Sequence, residues 1–449
     1  MSALPDLAVT GEQYREVPLH GDPLVAAAGL MAGTSTCNRL LYEQDGQFCI
    51  GLGTRAELLV DSGTVRVRHG ARAETMAWQD NPLPWMTTLL EQLDIPRWSA
   101  FGWASFELAY AMAGLPVADD TLLLRLVVPD VEVRVRPGSA AVRAATTEQL
   151  EAVEALLRRP VADRTREPAP IAVDAPDPQY TAAVADCVAA IQAEQLEKVI
   201  LSREVTVSSP VDLLGSYVHG RRHNTPVRSF VIDTPELTAM GFSPEMLVEV
   251  GSDGVVRTQP LAGTRAYTGD PIKDDRLRHE LTTDAKEIYE HAISVRLACQ
   301  ELDRICFAGS VAVRDFMTIK QRGRVQHLGS EVSGTLPPVG PHDTAIARSW
   351  RAFGALFPSV TASGIPKAAA YRMIRAHEPA PRGLYAGAVF TTDHSGAIDA
   401  ALALRTAFRS GGRTWLRAGA GIVGQSRPER EFTETCEKLS SVAAYLVRP

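Results

Sequence analysis

The stretch RTWLRAGAGIVGQSRPEREFTETCEKLSSVAAYLV, residues 413–447, joins a strand pattern to an acidic-faced helix through a glycine-spaced run. Arg413 to Arg417 reads as a strand leading into Ala418, Gly419, Ala420 and Gly421. Ser426, Arg427, Pro428 and Glu429 then spell a helix start. Ser426 is placed to cap, Glu429 stands three residues on, and proline is tolerated in a first turn. Glu431, Glu434 and Lys438 fall at 0, +3 and +7, which sets two carboxylates and an ammonium on one helix face. Phe432, Leu439 and Val442 supply an apolar face.

A second segment has the same grammar. Thr283-Asp284-Ala285-Lys286-Glu287-Ile288-Tyr289-Glu290-His291 opens a helix running to about Leu302, capped by Thr283 or Asp284. Glu287 and Glu290 again share a face. Two acidic pairs on two helices are either one divalent-cation site or two solvated faces. Hard cations take oxygen ligands, and magnesium is commonly held by one or two carboxylates while substrate supplies more.

The chain has 449 residues, 53 acidic and 46 basic, a net charge of −7, and no Lys/Arg-dense stripe, which argues against a nucleic-acid partner. Its six cysteines form no Cys-x-x-Cys pair and sit in mostly apolar contexts, as reduced cytoplasmic cysteines do. No apolar run of 18 residues and no signal-peptide pattern is visible, so a cytoplasmic protein without a membrane partner is expected.

Residues 1 to about 25 read as irregular. Arg39–Tyr42 and Phe48–Leu52 flank Asp45-Gly46, a strong hairpin signal. Residues 158–178 carry five prolines and no period. This divides the chain into an N-terminal portion 1–165, a Pro-rich linker 166–178 and a region 179–449. Beyond the linker, Glu197 to Val207 reads as a strand, Leu261–Arg265 as a glycine-containing turn, and Ile398 to Arg405 as a strand. The many strands and long helices follow no βαβα order, so an α+β fold is predicted.

Several residues invite chemistry. Lys198 begins an apolar run, Val199-Ile200-Leu201. It either snorkels to water or, in a dry cleft, serves as a base. Glu245 follows Pro244 in a break between strands, as a plain turn residue or a general acid. Arg405, among Leu402, Leu404, Ala407 and Phe408, suits a two-pronged carboxylate clamp. Tyr385 offers a hydroxyl, and Gly419 and Gly421 offer backbone N–H groups for an anionic oxygen. His327 reads as a structural hydrogen bonder, and the ten histidines show no zinc spacing.

The segments LEKVILSR (196–203), GFSPEML (241–247), QPLAGTRA (259–266), DAKEIYEHA (284–292), VQHLGS (325–330), FPSVTASGIPK (357–367), PRGLYAGAV (381–389), LALRTA (402–407) and GAGIV…EREFTETCEKL (419–439) resemble the chorismate-binding family of anthranilate, aminodeoxychorismate, isochorismate and salicylate synthases. The resemblance is dense over 180–449 and thinner through LLYEQDGQ (40–47) and FGWASFELA (101–109). It leans toward the salicylate synthase branch of siderophore pathways. Lys198 stands where members using water as nucleophile carry their base. Ala262 replaces the lysine that aminodeoxychorismate synthases use for a covalent intermediate, and LLYE replaces a tryptophan-binding LLES-like element. Gln259 departs from an expected glutamate and is read as tuning the pocket.

The resemblance implies a sandwich of two large antiparallel sheets with outer helices, and Mg²⁺ as cofactor. Glu290 and Glu434 are implied as its direct ligands, with Glu287 and Glu431 acting directly or through water. It implies chorismate as substrate, Lys198 as base toward water at C2 and Glu245 as acid at the C4 hydroxyl. It further implies that Arg405, Tyr385 and the backbone near Gly419 hold the pyruvyl carboxylate, with Lys438 nearby at the substrate, and that Gly263, Thr264, His327, Thr361 and Leu404 line the ring pocket. The product is isochorismate, then salicylate and pyruvate. No glutaminase subunit is implied, and a monomer is.

Overall fold

The computed structural model describes residues 13–159 and 167–449. Residues 1–12, at the start of the expected N-terminal portion, and 160–166, at the start of the proline-rich stretch, lie outside them. Among the described residues the chain forms two antiparallel sheets. The first has eleven strands. From edge to edge they are Gln13–Pro18, Ser139–Ala144, Val131–Arg136, Gln47–Leu52, Arg39–Gln44, Arg228–Asp233, Thr238–Ser243, Thr406–Ser410, Arg413–Ile422, Lys198–Thr206 and Gly364–Ile365. The second has twelve, with Met246–Val250, Ile398–Leu402, Ala388–Asp393 and Ser99–Ala104 adjacent near its middle.

Side-chain alternation explains the layering. Leu40 and Tyr42 point into the core between the sheets, while Leu41 points to an outer core. That outer core lies under the helices Pro23–Gly33, Thr147–Arg158, Leu213–Arg221 and Pro428–Ala443. A strand buried on both faces reads as a continuous apolar run, as LLY does. The Asp45-Gly46 turn has φ of 50° and 79°, the left-handed pair that a two-residue hairpin requires.

N-terminal strands enter both sheets: Arg39–Gln44 pairs with Arg228–Asp233, and Ser99–Ala104 with Ala388–Asp393. The end of the proline-rich stretch lies along the C-terminus, where Ala169 N donates to Leu446 O (2.7 Å).

Four sequence expectations need correction. Residues 13–18 form a strand and Pro23–Gly33 a helix rather than an irregular lead; the helix is capped by Asp22 and is alanine-rich, so its period is faint. Leu261–Ala266 is a strand, not a turn. Its pairing shifts register at Gly263 (φ +76°), and that glycine read as a turn signal. Ile398–Leu402 ends before Arg405, which sits at φ +50° in the crossing to the other sheet. Ser426 is not the cap of the last helix: Arg427 holds that position, and the Ser426 hydroxyl accepts from Val423 N (3.1 Å).

Two sheet-to-sheet crossings lie side by side. One runs from Thr238–Ser243 through Pro244 and Glu245 to Met246–Val250, the other from Ile398–Leu402 through Arg405 to Thr406–Ser410. They are laced by Leu402 N to Glu245 O (3.1 Å) and by Ser243 Oγ to Leu402 O (2.7 Å). Strand ends rarely bury charge. Here each crossing delivers one ionisable side chain to the same cavity.

Candidate active site

That cavity is a cleft of about 770 Å³, counting its solvent-open mouth. Glu245, Gly263, Thr264, Glu290, His327, Thr361, Tyr385, Leu404, Arg405, Gly419, Glu434 and Lys438 line it. Lys198 stands behind Glu290, and Glu287 and Glu431 meet Glu290 through the ammonium of Lys286. Gln259 turns away, its amide donating to Glu331 Oε2 (3.2 Å).

Lys198 opens the strand Lys198–Thr206 and is fully buried. Its Nζ is 2.9 Å from Glu290 Oε1 and donates to Ser294 Oγ (3.0 Å). Glu245 is also buried, and its Oε1 accepts from Ser359 Oγ (3.0 Å) and Thr361 Oγ1. Burial pushes Glu245 up to about 7, against the pull of the two hydroxyls and of Lys198. A carboxyl of that kind remains a proton donor near neutral pH.

Arg405 is buried beside the cleft. Its guanidinium donates to Arg322 O (2.9 Å) and to His327 Nε2. Burial, and then Arg322, work against its charge, and no carboxylate pairs with it among the described residues. His327 is neutral: burial first, then Arg405 and Lys438, hold it well below the usual histidine range. Because Nε2 accepts from Arg405, the ring proton belongs on Nδ1, 3.1 Å from Gly263 O. A buried guanidinium lacking a counter-anion is an anion site. Tyr385 shares this wall, and Lys438 Nζ bridges Glu434 Oε1 (2.7 Å) and Gly419 O (2.9 Å).

Gly419 and Gly421 lie within the strand Arg413–Ile422, opposite Ser202 and Ile200. Their missing side chains admit neighbours. A Cβ on Gly421 would fall 2.0 Å from Glu290 Oε1, and one on Gly419 2.9 Å from the Tyr385 hydroxyl. Glu287 and Glu290 stand on the helix Ala285–Asp303, which Asp284 caps by accepting from Lys286 N (2.9 Å). Glu431 and Glu434 come from the helix Pro428–Ala443.

All four carboxylates are buried. Burial, then Glu434 and Glu290, raise Glu287 against Lys286; burial, then Glu434, raise Glu431 to about 7 against Lys286. Glu290 and Glu434 resist burial and are lowered, the first by Lys198 and Lys286, the second by Lys438, Lys286 and Arg430. Among the described residues no three His, Cys, Asp or Glu side chains form a ready metal cage. The donor chemistry still fits a hard cation. Glu287 Oε2, both Glu431 oxygens and Glu434 Oε2 are buried with no hydrogen-bond donor.

Residues 37–444 match the family of chorismate binding enzymes. The chain belongs to that family. This chorismate-binding enzyme is 41% identical, over 436 residues, to the salicylate synthase of Mycolicibacterium paratuberculosis, covering 96% of this chain and 95% of that one. It is 38% identical to anthranilate synthase component 1 of Haloferax volcanii over 268 residues, 59% of this chain and half of that one. Among solved structures it is similar to the menaquinone-specific isochorismate synthase of Escherichia coli (TM-score 0.72, 22% identity, covering 97% and 94% of the two chains).

Four residues escaped the sequence reading: Lys286 among the carboxylates, Arg265 on Glu287 Oε1 (2.9 Å), Ser359 on Glu245, and Ser294 on Lys198. Lys286 and Ser294 had a local signal, each four residues from Glu290 on one helix. Arg265 and Ser359 had none, since their partners are 22 and 114 residues away.

Proposed function

We propose that this chorismate-binding enzyme is a salicylate synthase, converting chorismate to isochorismate and then to salicylate and pyruvate. The observation that carries the reading is a cleft lined by Glu245, whose carboxyl burial pushes up to about 7, and by Glu290, with the buried Lys198 ammonium directly behind it at 2.9 Å. The 41% identity to a salicylate synthase along 96% of the chain supports the second product over the first.

Lys198 acts here as the neutral amine, its proton given up and its pairing with Glu290 released; it takes a proton from water attacking C2, and Glu245 gives its proton to the departing C4 hydroxyl, leaving an ammonium and a carboxylate. Water enters and water leaves, so isochorismate is an isomer of chorismate. In the second step the C2 hydrogen moves to the pyruvyl methylene as the C–O bond breaks. This needs no acid or base, and the cleft contributes orientation and charge. Arg405, with Tyr385 and the backbone at Gly419, takes the pyruvyl carboxylate. Neutral His327 fixes the guanidinium, and Gly263, Thr264, Thr361 and Leu404 enclose the ring.

Glu290 and Glu434, which their surroundings hold ionised, are the proposed direct Mg²⁺ ligands, with Glu287 and Glu431 beside them. When bound, Mg²⁺ neutralises and orients the substrate's ring carboxylate. We propose that the enzyme works as a cytoplasmic monomer without a glutaminase subunit.

Incubation with chorismate, with and without Mg²⁺, tests this by chromatography and pyruvate assay. Metal-dependent salicylate with equimolar pyruvate is expected. Isochorismate that persists without pyruvate would make the protein an isochorismate synthase.

A further inference from the structure

Each of three carboxylates in the acidic cluster has an outer cation: Glu287 has Arg265, Glu290 has Lys198, and Glu434 has Lys438, at 2.7–2.9 Å. Glu431 has only Lys286, whose Nζ is 3.2 Å from Glu431 Oε1, 3.4 Å from Glu290 Oε2 and 3.6 Å from Glu287 Oε1. None of these contacts is a hydrogen bond, and Nζ is buried with no other partner. Lys198 and Lys438 differ, for each also donates to a fixed oxygen, Ser294 Oγ or Gly419 O. Lys286 is thus held by charge alone, at the point where three carboxylates from two helices converge. It does not line the cleft, and no proposed chemical step uses it.

We propose that Lys286 is an internal placeholder for the divalent cation. Its ammonium keeps the carboxylates of the two helices together in the metal-free protein and gives way when the cation enters, so the two compete for one position. The inference rests on the Mg²⁺ reading given above. The physical ground is that four buried carboxylates repel one another and need a central cation, while a tightly hydrogen-bonded lysine would not leave. A placeholder couples two properties with opposite sign. It stabilises the metal-free protein and weakens metal binding, because each binding event must displace it.

The test uses metal-stripped full-length protein without substrate: wild type, Lys286→Met and Lys286→Arg. Mg²⁺ is titrated by calorimetry, and each protein is melted with and without it. Lys286→Met is expected to lower the metal-free Tm by about 5 °C. It should bind Mg²⁺ on the order of tenfold more tightly, and saturation should recover most of the lost Tm. Lys286→Arg keeps the charge on a larger head, so its metal-free Tm should stay near wild type while Mg²⁺ binds more weakly. A purely structural lysine would lower Tm without tightening the metal. Lys286→Met that binds Mg²⁺ as wild type does, or more weakly, overturns the placeholder. If Lys286→Met folds only with Mg²⁺ supplied, the proposal is supported. If it folds under neither condition, Lys286→Arg decides: weaker Mg²⁺ binding supports the proposal, unchanged binding overturns it. Wild type that takes up no Mg²⁺ overturns the metal reading and the placeholder together, whereas wild-type uptake left unaltered in both variants overturns the placeholder alone.

Discussion

Glu378 and Glu431 are both buried carboxylates, one facing arginines and the other facing carboxylates. Glu378 accepts from Arg382 Nη2 (2.6 Å) and Ser202 N (2.8 Å) on one oxygen, and from Arg382 Nε (2.8 Å) and Arg417 Nη2 (2.6 Å) on the other. The arginines spend their remaining donors on the carbonyls of Ala362, Ile200 and Pro381 and on the Ser202 hydroxyl (Arg417 Nε, 2.9 Å). Burial pushes Glu378 up, but Arg382 and Arg417 outweigh it and hold the group below the usual carboxylate range. Glu431 has the opposite balance: neither oxygen has a well-formed hydrogen bond, the Lys286 ammonium stands 3.2 Å away, and burial, then Glu434, lift it to about 7 against the pull of Lys286 and Ser426. Both clusters join distant parts of the chain, yet in one every carboxylate oxygen is met by donors and in the other four carboxylate oxygens are left without a hydrogen bond. A complete network holds structure together, and an incomplete one is ready to take a cation.

The widest consequence of that contrast falls on Glu245, whose burial is likewise only partly compensated. Glu245→Gln should cut turnover of chorismate by about 10²–10⁴-fold while the protein stays folded, because the loss is of a proton donor and not of shape. The pH dependence has a definite sign. Only protonated Glu245 gives up a proton, so wild-type activity should fall as pH rises through about 7. Stability follows the same direction. The folded pKa lies above the unfolded value near 4.5, so this contribution is full below about pH 4.5 and is lost as pH rises through about 7, by up to about 3 kcal/mol. Denaturant melts at pH 5 and pH 8 should show this drop in wild type and lose it in Glu245→Gln. An equal drop in both proteins would remove Glu245 as its source.

Breaking the complete network should act on stability. Glu378→Gln leaves Arg382 and Arg417 buried without a carboxylate, a loss of about 3–5 kcal/mol where a buried pair loses one partner. Urea denaturation measures it directly. A loss under about 1 kcal/mol would mean that the arginines find water or carbonyls instead, and that the network is not complete in the sense used here.

How much of this was legible in the sequence depends on how local the cause is. The hairpin at Asp45-Gly46 and the helix Ala285–Asp303 with its Asp284 cap follow from neighbours in the chain. The α+β class followed from element order, but the pairing of strands across two sheets came only with the family resemblance, since register between Arg39–Gln44 and Arg228–Asp233 has no local signature. Arg405 was singled out as an anion clamp on a strand. Its backbone is left-handed where the chain leaves one sheet for the other, and its guanidinium's partners, Arg322 O and His327 Nε2, lie 83 and 78 residues away in the chain. The Glu287, Glu290, Glu431 and Glu434 faces were visible as spacings. Glu431's lack of a donor was not, because an absent hydrogen bond is a property of the packed interior and leaves no mark on helical periodicity.

The smallest expected effect is the sharpest test of the contrast between the two clusters. Glu431→Gln removes one charge from a group of four carboxylates and keeps the side-chain volume. In the metal-free protein it relieves like-charge repulsion with Glu434 and Glu290, and an amide costs less than a carboxylate to bury. It also takes from Lys286 one of three partners. The two effects oppose each other, and with Glu290 and Glu287 still facing Lys286 the relief should win by about 1 kcal/mol at pH 8. At pH 5 wild-type Glu431 is already protonated and the gain should vanish. The same substitution therefore has the opposite sign to Glu378→Gln, although both replace a buried carboxylate by its amide. Destabilisation by several kcal/mol at pH 8 would mean that the Lys286–Glu431 contact is a structural pair, and would erase the distinction between the two clusters.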